Sequence, residues 1–317
     1  MLSLDFMYLL ALAFSSILCE DVSFGKNNYM EYRKGNFSII LTAPHGGSVK
    51  PSAIPNRDSG CWDKKTSICH FTHVCPAGTV KDPASCGVST VSDMNTLEIT
   101  LEIAAHIHRI TGHYPHVVIN HLHRSKLDPN REKDEAAFGI PLAEQTWDEF
   151  MAFIELAKSQ VSEGLLLDIH GHTHEENWTE LGYTISKQQL NSGTFNPNDS
   201  SIAHLWRKLS TVSYNDLLRG NRSLGKFIED QENKAYICVP SPTYPSPGKG
   251  NYFIGGYITR TFGSKYSGTI DAIQIELPKS MRNDKRCPKQ CPAVAQAIIQ
   301  FWQVNYCNQH NNKILGC

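Results

Sequence analysis

The chain has 317 residues, of which 40% are hydrophobic and 19% are charged, and its formal net charge is −1. This composition supplies enough apolar side chain for a sizeable core. The near-neutral charge leaves no electrostatic footprint for nucleic acid or an anionic membrane surface, so we expect neither as a partner.

Residues 1–19 are predicted to be a signal peptide. An apolar run extends from Phe6 to about Leu18 and stops at Glu20, which is short for a bilayer span but suits the core of a signal peptide. No other stretch approaches the roughly 18 apolar residues of a membrane helix. We therefore expect a secreted protein without stable membrane insertion, in which residues 20–317 form a single domain.

Cysteine usage supports the extracellular prediction. Two clusters, one in an insertion at about 58–88 and one in the C-terminal tail, comprise Cys61, Cys69, Cys75, Cys86, Cys287, Cys291, Cys307 and Cys317. They favour local disulfides of open connectivity, because four cysteines allow three pairings. The alternative for the insertion is a zinc site from Cys69, His70, His73 and Cys75, whose spacing fits no standard finger. Cys238 has no nearby partner. Glycosylation sequons begin at Asn36, Asn177, Asn198 and Asn221.

Four compact apolar runs are predicted to be strands: "FSIILTAP" (37–44), "HVVINHLH" (116–123), "GLLLDIH" (164–170) and "IDAIQIEL" (270–277). Three amphipathic helices are predicted in "DMNTLEITLEIAAHIHRITG" (93–112), "PLAEQTWDEFMAFIELAKSQVSEG" (141–164) and "AVAQAIIQFWQVNY" (293–306). Ser92 or Asp93 is expected to cap the first helix and Gly112 to end it. Alternating buried strands and helices predict an α/β fold whose mostly parallel or mixed sheet carries helices on both faces.

Polar, metal-capable residues follow each predicted strand, in "PHGG", "HRSKLDPNR", "DIHGH" and "ELP". In open α/β sheets the ligand site lies outside the carboxyl ends of the strands, so these residues are expected to share one crevice. His172 and His174 lie beyond the third strand, and we interpret them as the rim of the site or a solvated loop. That one of them replaces His170 as a ligand stays open.

His45 and His170 are the predicted histidine ligands of a zinc ion. Each is followed by glycine, which lets a ligand approach the backbone closely. Catalytic zinc often takes two histidines and a carboxylate and leaves a position for water. Asp93, at the start of the predicted helix after the insertion, is the preferred third ligand, and its alternative role is a plain helix cap. Asp58 and Asp168 are rivals, and Asp168 could instead support a ligand from behind.

Glu276 is the predicted general base and acid, because a charge in an apolar strand is costly unless it is paired or functional. The alternative is a buried salt bridge to Arg124 or Arg131. Arg124, Asn130 and Arg131 offer planar donors for a carboxylate or a developing oxyanion. Arg260, beside a glycine pair, is expected to form another wall of the site. Together these residues suggest a substrate that carries a carboxylate.

The motifs "TAPHGG", "HRSKLDPNRE", "DIHGHTHE", "ELGYTIS", "NYFIGGYITRTFG" and "IDAIQIEL" occur in an order that resembles the N-formylglutamate amidohydrolase family. That family is related in fold to the zinc carboxypeptidases and aspartoacylase. The resemblance covers roughly residues 36–305. It implies a phosphorylase/hydrolase-like α/β fold, one zinc ion, and hydrolysis of an amide bond in an acidic small molecule.

Residue by residue, the resemblance matches His45 and His170 to the two histidine ligands and Glu276 to the general base. It matches Arg124 to the arginine that polarises the carbonyl, and Asn130–Arg131 to the pair that holds a substrate carboxylate.

One position departs from the pattern of the related carboxypeptidases. They place a glutamate three residues after the first histidine, where this chain has Ser48. The insertion displaces the helix start to Asp93, which is why Asp93 is the predicted third ligand.

The leading interpretation is a secreted zinc amidohydrolase. A carboxypeptidase that acts on peptide C-termini would use the same site chemistry. A catalytically silent secreted binding or matrix protein would keep the fold, and the missing glutamate at Ser48 favours it, whereas the retained Glu276 and the arginines oppose it.

Overall fold

The computed structural model describes residues 21–307 and Cys317. In this part of the chain an eight-stranded mixed sheet packs against helices on both faces, which confirms the predicted α/β class. The predicted signal peptide lies outside the described residues. Among the residues described, no helix is long and apolar enough to cross a membrane.

The strands are β1 (Val22–Phe24), β2 (Met30–Arg33), β3 (Ile39–Ala43), β4 (Cys61–Asp63), β5 (Ile68–His70), β6 (Val80–Lys81), β7 (His116–Asn120), β8 (Gly164–Gly171), β9 (Thr179–Gly182), β10 (Cys238–Val239) and β11 (Ile270–Leu277). The helices are α1 (Thr96–Thr111), α2 (Lys133–Ala137), α3 (Pro141–Ser159), α4 (Lys187–Ser192), α5 (Ala203–Lys208), α6 (Tyr214–Arg219), α7 (Leu224–Glu229), α8 (Tyr257–Phe262) and α9 (Gln290–Trp302).

The strand order in the large sheet is β1-β2-β7-β3-β8-β11-β9-β10. Its centre, β7-β3-β8-β11, is parallel throughout, and β2 and β9 flank it in antiparallel pairing. All four predicted strands lie in this parallel centre. The flanking strands have two to four residues, too few to carry a readable hydrophobic period, and were not predicted.

Alternation along β8 divides its side chains between two cores. Leu165 and Leu167 pack in the core that includes α1 and α9, whereas Leu166 packs in the core that includes α3. Because successive side chains point to opposite faces, Asp168 and His170 share the face of Leu166. That face is apolar near the start of the strand and polar at its carboxyl end.

The N-cap of helix α1 is Asn95, two residues after Asp93 and three after Ser92, the predicted caps. Asn95, with φ of 64°, precedes the helix and makes no side-chain cap, so neither Ser92 nor Asp93 caps it. The reason is a turn in which the carbonyl of Asp93 accepts a hydrogen bond from the N–H of Thr96 at 3.2 Å. Gly112, with φ of 74°, ends the helix as predicted.

The insertion contains the three-stranded antiparallel sheet β5-β4-β6. Both cysteine clusters form local disulfides, as predicted, and the pairs are Cys61–Cys75, Cys69–Cys86, Cys287–Cys291 and Cys307–Cys317. The alternative zinc site in the insertion is wrong, because Cys69 and Cys75 belong to two different disulfides. Cys238 is a free, buried cysteine.

His116 at the start of β7 is a buried histidine whose ring accepts hydrogen bonds. Its Nδ1 lies 2.8 Å from the Tyr32 hydroxyl and accepts from the N–H of Gly35 at 3.2 Å. Burial, and then the positive charge of Lys34, lower the pKa of His116 from 6.5 to about 4. The folded state therefore requires the neutral ring.

We expect the free energy of unfolding to fall as the pH drops from about 6.5 towards about 4. In this range His116 is protonated in the unfolded chain and neutral in the folded chain, so the proton stabilises the unfolded state. The contribution is at most about 1.4 kcal/mol per pH unit. Denaturant unfolding at several pH values measures it. His116→Asn should flatten the dependence, whereas the control His70→Asn, on the exposed insertion, should not. An unchanged slope in His116→Asn would contradict the assignment.

Candidate metal centre and active site

A cavity of about 780 Å³ lies at the carboxyl ends of the parallel strands. His45 follows β3, His170 belongs to β8 and Glu276 to β11, and all three line the cavity. Arg124 enters it from the loop after β7, and Asp93 from the segment before α1. The crevice expected from the strand ends is therefore present, and the chemical roles of these side chains remain predictions.

Three of these side chains, the ligand trio His45, Asp93 and His170, form a buried group of potential metal ligands. The Nδ1 atoms of His45 and His170 lie 3.3 Å and 3.2 Å from Oδ2 of Asp93. The two ring centres are 4.7 Å apart. One ligand atom from each residue lies within 4.8 Å of the others. The fold thus brings together three residues that the sequence separates by up to 125 positions.

A buried carboxylate holds the far nitrogen of each imidazole. Nε2 of His45 lies 2.6 Å from Oδ1 of Asp128, and Nε2 of His170 lies 2.8 Å from Oδ2 of Asp168. A carboxylate that accepts the proton of one ring nitrogen leaves the lone pair of the other free for a metal. Both histidines therefore present Nδ1 to the same point beside Asp93.

Neither rival carboxylate belongs to the ligand trio. Asp168 supports His170 from behind, which was the alternative role expected for it. Asp58 is exposed on the insertion, where it pairs with Nζ of Lys81 at 2.6 Å. The insertion thus carries Asp58 away from the cavity and returns the chain at Asp93.

Asp93 is buried, yet its carboxylate is strongly stabilised. Burial alone raises its pKa, but the charges and hydrogen bonds of His45 and His170 outweigh burial and hold the pKa of Asp93 well below 3.8. The N–H of Gly171 donates to the same Oδ2 at 3.2 Å. An ionised carboxylate oxygen that faces two imidazole nitrogens is a donor set typical of catalytic zinc sites, so these residues fit a divalent metal ion.

Glu276 lies beside His170 on the neighbouring strand, because the two residues are register partners in the β8–β11 pair. Its Oε1 accepts a hydrogen bond from Nε2 of Gln274 at 2.9 Å, and its buried Oε2 has no partner among the described residues. Burial raises the pKa of Glu276 to about 8. Within residues 21–307 it forms no ion pair with Arg124 or Arg131, so the alternative of a buried salt bridge is wrong.

The two arginines on the loop after β7 are already in contact with acids. Nε of Arg124 donates to Asp128 at 2.8 Å, and its Nη1 lies 3.6 Å from Oδ1 of Asp93. Nε of Arg131 donates to Glu135 at 3.1 Å. Arg124 is nearly buried and Arg131 is half-exposed, so Arg131 is the more accessible of the two for a substrate.

The other two predicted substrate contacts differ from each other. Both ends of the buried Asn130 amide contact protein: Oδ1 accepts from the N–H of Ile258 at 2.9 Å, and Nδ2 lies 3.2 Å from Nε2 of His170 and 3.4 Å from Oε1 of Gln274. Asn130 thereby joins α8 to the site. Arg260 is exposed and lines the cavity, and its guanidinium makes no hydrogen bond or ion pair with the described residues. That either residue binds substrate remains a prediction.

The glycines that follow His45 and His170 make room for protein, whereas we expected them to make room for a ligand. A Cβ at Gly46 would clash with the backbone of Leu97 at the start of α1. A Cβ at Gly171 would clash with the guanidinium of Arg282. Close packing against Leu97 and Arg282 therefore favours glycine at both positions.

His172 and His174 form a second group with Glu180, here called the Glu180 group. His172 is buried, which corrects its interpretation as a solvated residue, and its Nε2 donates to the carbonyl of Trp178 at 2.8 Å. Oε1 of the fully buried Glu180 lies 2.7 Å from Nδ1 of His174 and accepts from Trp178 at 3.3 Å. Its Oε2 accepts from the N–H of Phe253 at 2.6 Å.

Asp128 and Glu180 received no role from the sequence. Asp128 stands within "HRSKLDPNR", and an acid near predicted ligands is a signal that could have marked it as support for a histidine. Glu180 belongs to the short β9, which was not predicted, so nothing in the sequence placed it beside Glu276, its antiparallel register partner.

Comparisons with known proteins find only distant structural likenesses. No family model and no curated protein matches the chain. The solved structures it resembles include N-formylglutamate amidohydrolase from Ralstonia eutropha JMP134, with 11% identity, coverage of 89% of this chain and 97% of that chain, and a TM-score of 0.40. The gene product Atu2144 from Agrobacterium tumefaciens has 9% identity, coverage of 89% and 96%, and a TM-score of 0.39. The CwlD amidase from Clostridioides difficile has 14% identity, coverage of 85% and 100%, and a TM-score of 0.33. At these values the likeness carries no argument, and membership of the N-formylglutamate amidohydrolase family remains a prediction.

We expect protein secreted from eukaryotic cells to hold about one zinc ion per chain. His170→Ala should lose it, because the donor set then lacks one of three ligands. Elemental analysis by mass spectrometry measures the content. His204→Ala is the matched control, since His204 is a half-buried histidine paired with Glu163 outside the cavity.

Zinc that persists in His170→Ala and disappears in His174→Ala would assign the metal to the Glu180 group. A wild-type protein without metal would contradict the prediction of a metal centre.

Proposed function

We propose that the protein is a secreted zinc-dependent hydrolase that cleaves an amide bond in a small substrate bearing a carboxylate, such as an N-acyl amino acid. The observation that carries the proposal is the position of Glu276. Its carboxyl group is buried, one of its oxygens has no partner in the described chain, and it lies beside the ligand trio in the same cavity. A set of metal ligands, a proton acceptor and space for a substrate therefore coincide.

The ligand trio is proposed to hold the zinc ion, which when bound supplies a Lewis acid and lowers the pKa of water at the site. Asp128 and Asp168 keep the two imidazoles in the tautomer that presents Nδ1, because each carboxylate faces an Nε2 atom. The carboxylate of Glu180 already forms hydrogen bonds with His174, Trp178 and the N–H of Phe253. It is therefore less suited to a metal than Asp93.

Glu276 is proposed to take a proton from the attacking water on Oε2 and to return it to the leaving amine nitrogen. Burial raises the pKa of Glu276 above that of an exposed carboxyl group, which suits a group that holds and releases a proton during the reaction. Gln274 fixes Oε1 and so leaves Oε2 available for this transfer.

The cationic side chains of the cavity favour a substrate with a carboxylate. Arg124 is proposed to stabilise the negative charge that develops on the carbonyl oxygen, because its guanidinium is buried beside Asp93. Arg260 and the half-exposed Arg131 are proposed to bind the substrate carboxylate, with Asn130 supporting the wall between them.

Secretion is part of the proposal because two features suit an oxidising compartment. The described chain pairs eight cysteines in disulfides, an arrangement usual outside the cytosol. The four sequon asparagines, Asn36, Asn177, Asn198 and Asn221, are all exposed and therefore accessible to glycosylation.

A carboxypeptidase that acts on peptide C-termini is the second candidate. The observation that favours it is the size of the cavity, about 780 Å³, which accommodates a ligand larger than a formylated amino acid. Hydrolysis of N-acyl amino acids but not of blocked dipeptides with a free C-terminus would favour the amidohydrolase, and the reverse pattern would favour the carboxypeptidase.

We expect Glu276→Gln to retain zinc and to lower kcat by about 10²- to 10⁴-fold, because the amide keeps the shape of the carboxyl but accepts no proton. Steady-state kinetics on the best substrate of the panel, with zinc content measured on the same samples, test this.

Glu229→Gln is the control, since Glu229 is a buried glutamate that accepts from Ser241 outside the cavity. Near-normal turnover in Glu276→Gln would refute the assigned role. A zinc-loaded wild type that hydrolyses nothing in the panel would favour the catalytically silent binding protein.

A further inference from the structure

Exposed apolar side chains gather at the mouth of the site cavity. Fourteen large apolar residues of the described chain are exposed, and four of them line this one cavity. We call these four the apolar rim: Val91 (75% exposed), Met94 (48%), Phe253 (44%) and Ile254 (38%). Single exposed apolar residues are normal on a protein surface, but a cluster at a binding cavity indicates an apolar ligand.

The rim comes from two separate segments of the chain. Val91 and Met94 lie between the disulfide-linked insertion and α1, whereas Phe253 and Ile254 precede α8. The two pairs belong to the same cavity although about 160 residues separate them in the sequence. The fold, and not a local hydrophobic run, therefore creates the cluster.

Buried polar groups hold both sides of the rim in place. Nη1 of the buried Arg282 donates to the carbonyl of Met94 at 2.8 Å. On the other side, Glu180 accepts from the N–H of Phe253 at 2.6 Å, and the ring of His174 stacks on the ring of Phe253 at 4.6 Å. The Glu180 group therefore positions Phe253. A preformed rim loses little freedom when a ligand binds.

The floor and the rim of the cavity differ in chemistry. Polar and charged groups occupy the floor, namely the ligand trio, Glu276 and Arg124. A formyl group on an acidic amino acid would satisfy these groups and leave the rim without a contact. The cationic side chains of the cavity suit the carboxylate end of an N-acyl amino acid. The acyl group is therefore the part of the substrate that would contact the apolar rim.

We infer that the substrate carries an apolar acyl group of several carbons, which lies between Val91 and Met94 on one side and Phe253 and Ile254 on the other. This inference rests on the proposed amide hydrolysis and names its substrate class. The rim residues thus determine specificity, and the chemistry takes place below them on the floor.

The test uses the zinc-loaded, full-length secreted protein and four probes: N-formyl-, N-acetyl-, N-hexanoyl- and N-octanoyl-L-glutamate. A fully buried methylene raises kcat/KM by up to about fourfold. Because the rim stays open to solvent on one side, we expect about a tenfold rise from the acetyl to the hexanoyl compound. A parallel series on L-leucine shows whether the preference follows the acyl chain or the amino acid.

Phe253→Ser and Met94→Ser should each reduce the acetyl-to-hexanoyl ratio to about threefold or less, because they remove apolar contact from opposite sides of the rim. Tyr266→Ser is the control, since Tyr266 is 81% exposed outside the cavity. Its ratio should match that of the wild type. Hydrolysis without chain-length dependence, or with a preference set by the amino acid, would overturn the inference and leave the proposed hydrolase standing.

Calorimetric binding of the same compounds to Glu276→Gln separates the two proposals. If no compound is hydrolysed by the wild type but the hexanoyl compound binds more tightly than the acetyl compound, and Phe253→Ser abolishes the difference, the apolar rim is supported and the hydrolase is not. Equal or absent binding along the series, together with absent hydrolysis, would refute both.

Discussion

The pairing of β8 with β3 on one side and β11 on the other is the constraint on which the site depends. In this register Glu276 lies beside His170, and Asp168 lies beside Thr42, whose hydroxyl donates to it at 2.6 Å. A slip of one residue would exchange the two faces of the strand. The same slip would move His170 into the core of α1 and α9.

The charges around the ligand trio explain why this region suits a cation. The nearby buried carboxyl groups, Asp93, Asp128, Asp168 and Glu276, outnumber the nearby buried guanidiniums, Arg57 and Arg282, and Arg124 is nearly buried. Without a bound cation, the excess of buried acids favours the protonated forms of His170 and Glu276. Accordingly, although burial alone lowers it, the pKa of His170 is raised well above 6.5 by the charge and hydrogen bond of Asp168, and burial raises the pKa of Glu276. A divalent ion in contact with both histidines would take the place of those protons.

The segment that follows the insertion contributes to both the ligand trio and the apolar rim. The insertion separates His45 from Asp93 in the sequence, yet the N–H of Asp93 donates to the carbonyl of His45 at 3.0 Å, so the chain returns to the place it left. A carboxylate therefore reaches the trio although the residue three positions after His45 is Ser48. The segment between the disulfide-linked insertion and α1 carries Asp93 together with Val91 and Met94, so the proposed metal ligand and one pair of the apolar rim come from the same short stretch of chain.

The sequence by itself determined the parallel centre of the sheet, its three long helices and most of the residues that meet in the cavity. Long apolar runs and helical periods are local signals, and the carboxyl ends of parallel strands converge whatever the details of packing. Only the tertiary structure decided that Asp128 and Asp168 fix the two histidines, that Asn130 binds protein at both ends of its amide, and that the glycines after the histidines admit Leu97 and Arg282. It also decided that Phe253 and Met94 share one rim. These relations depend on contacts between segments far apart in the chain, and no local pattern encodes which distant side chain fills a given space.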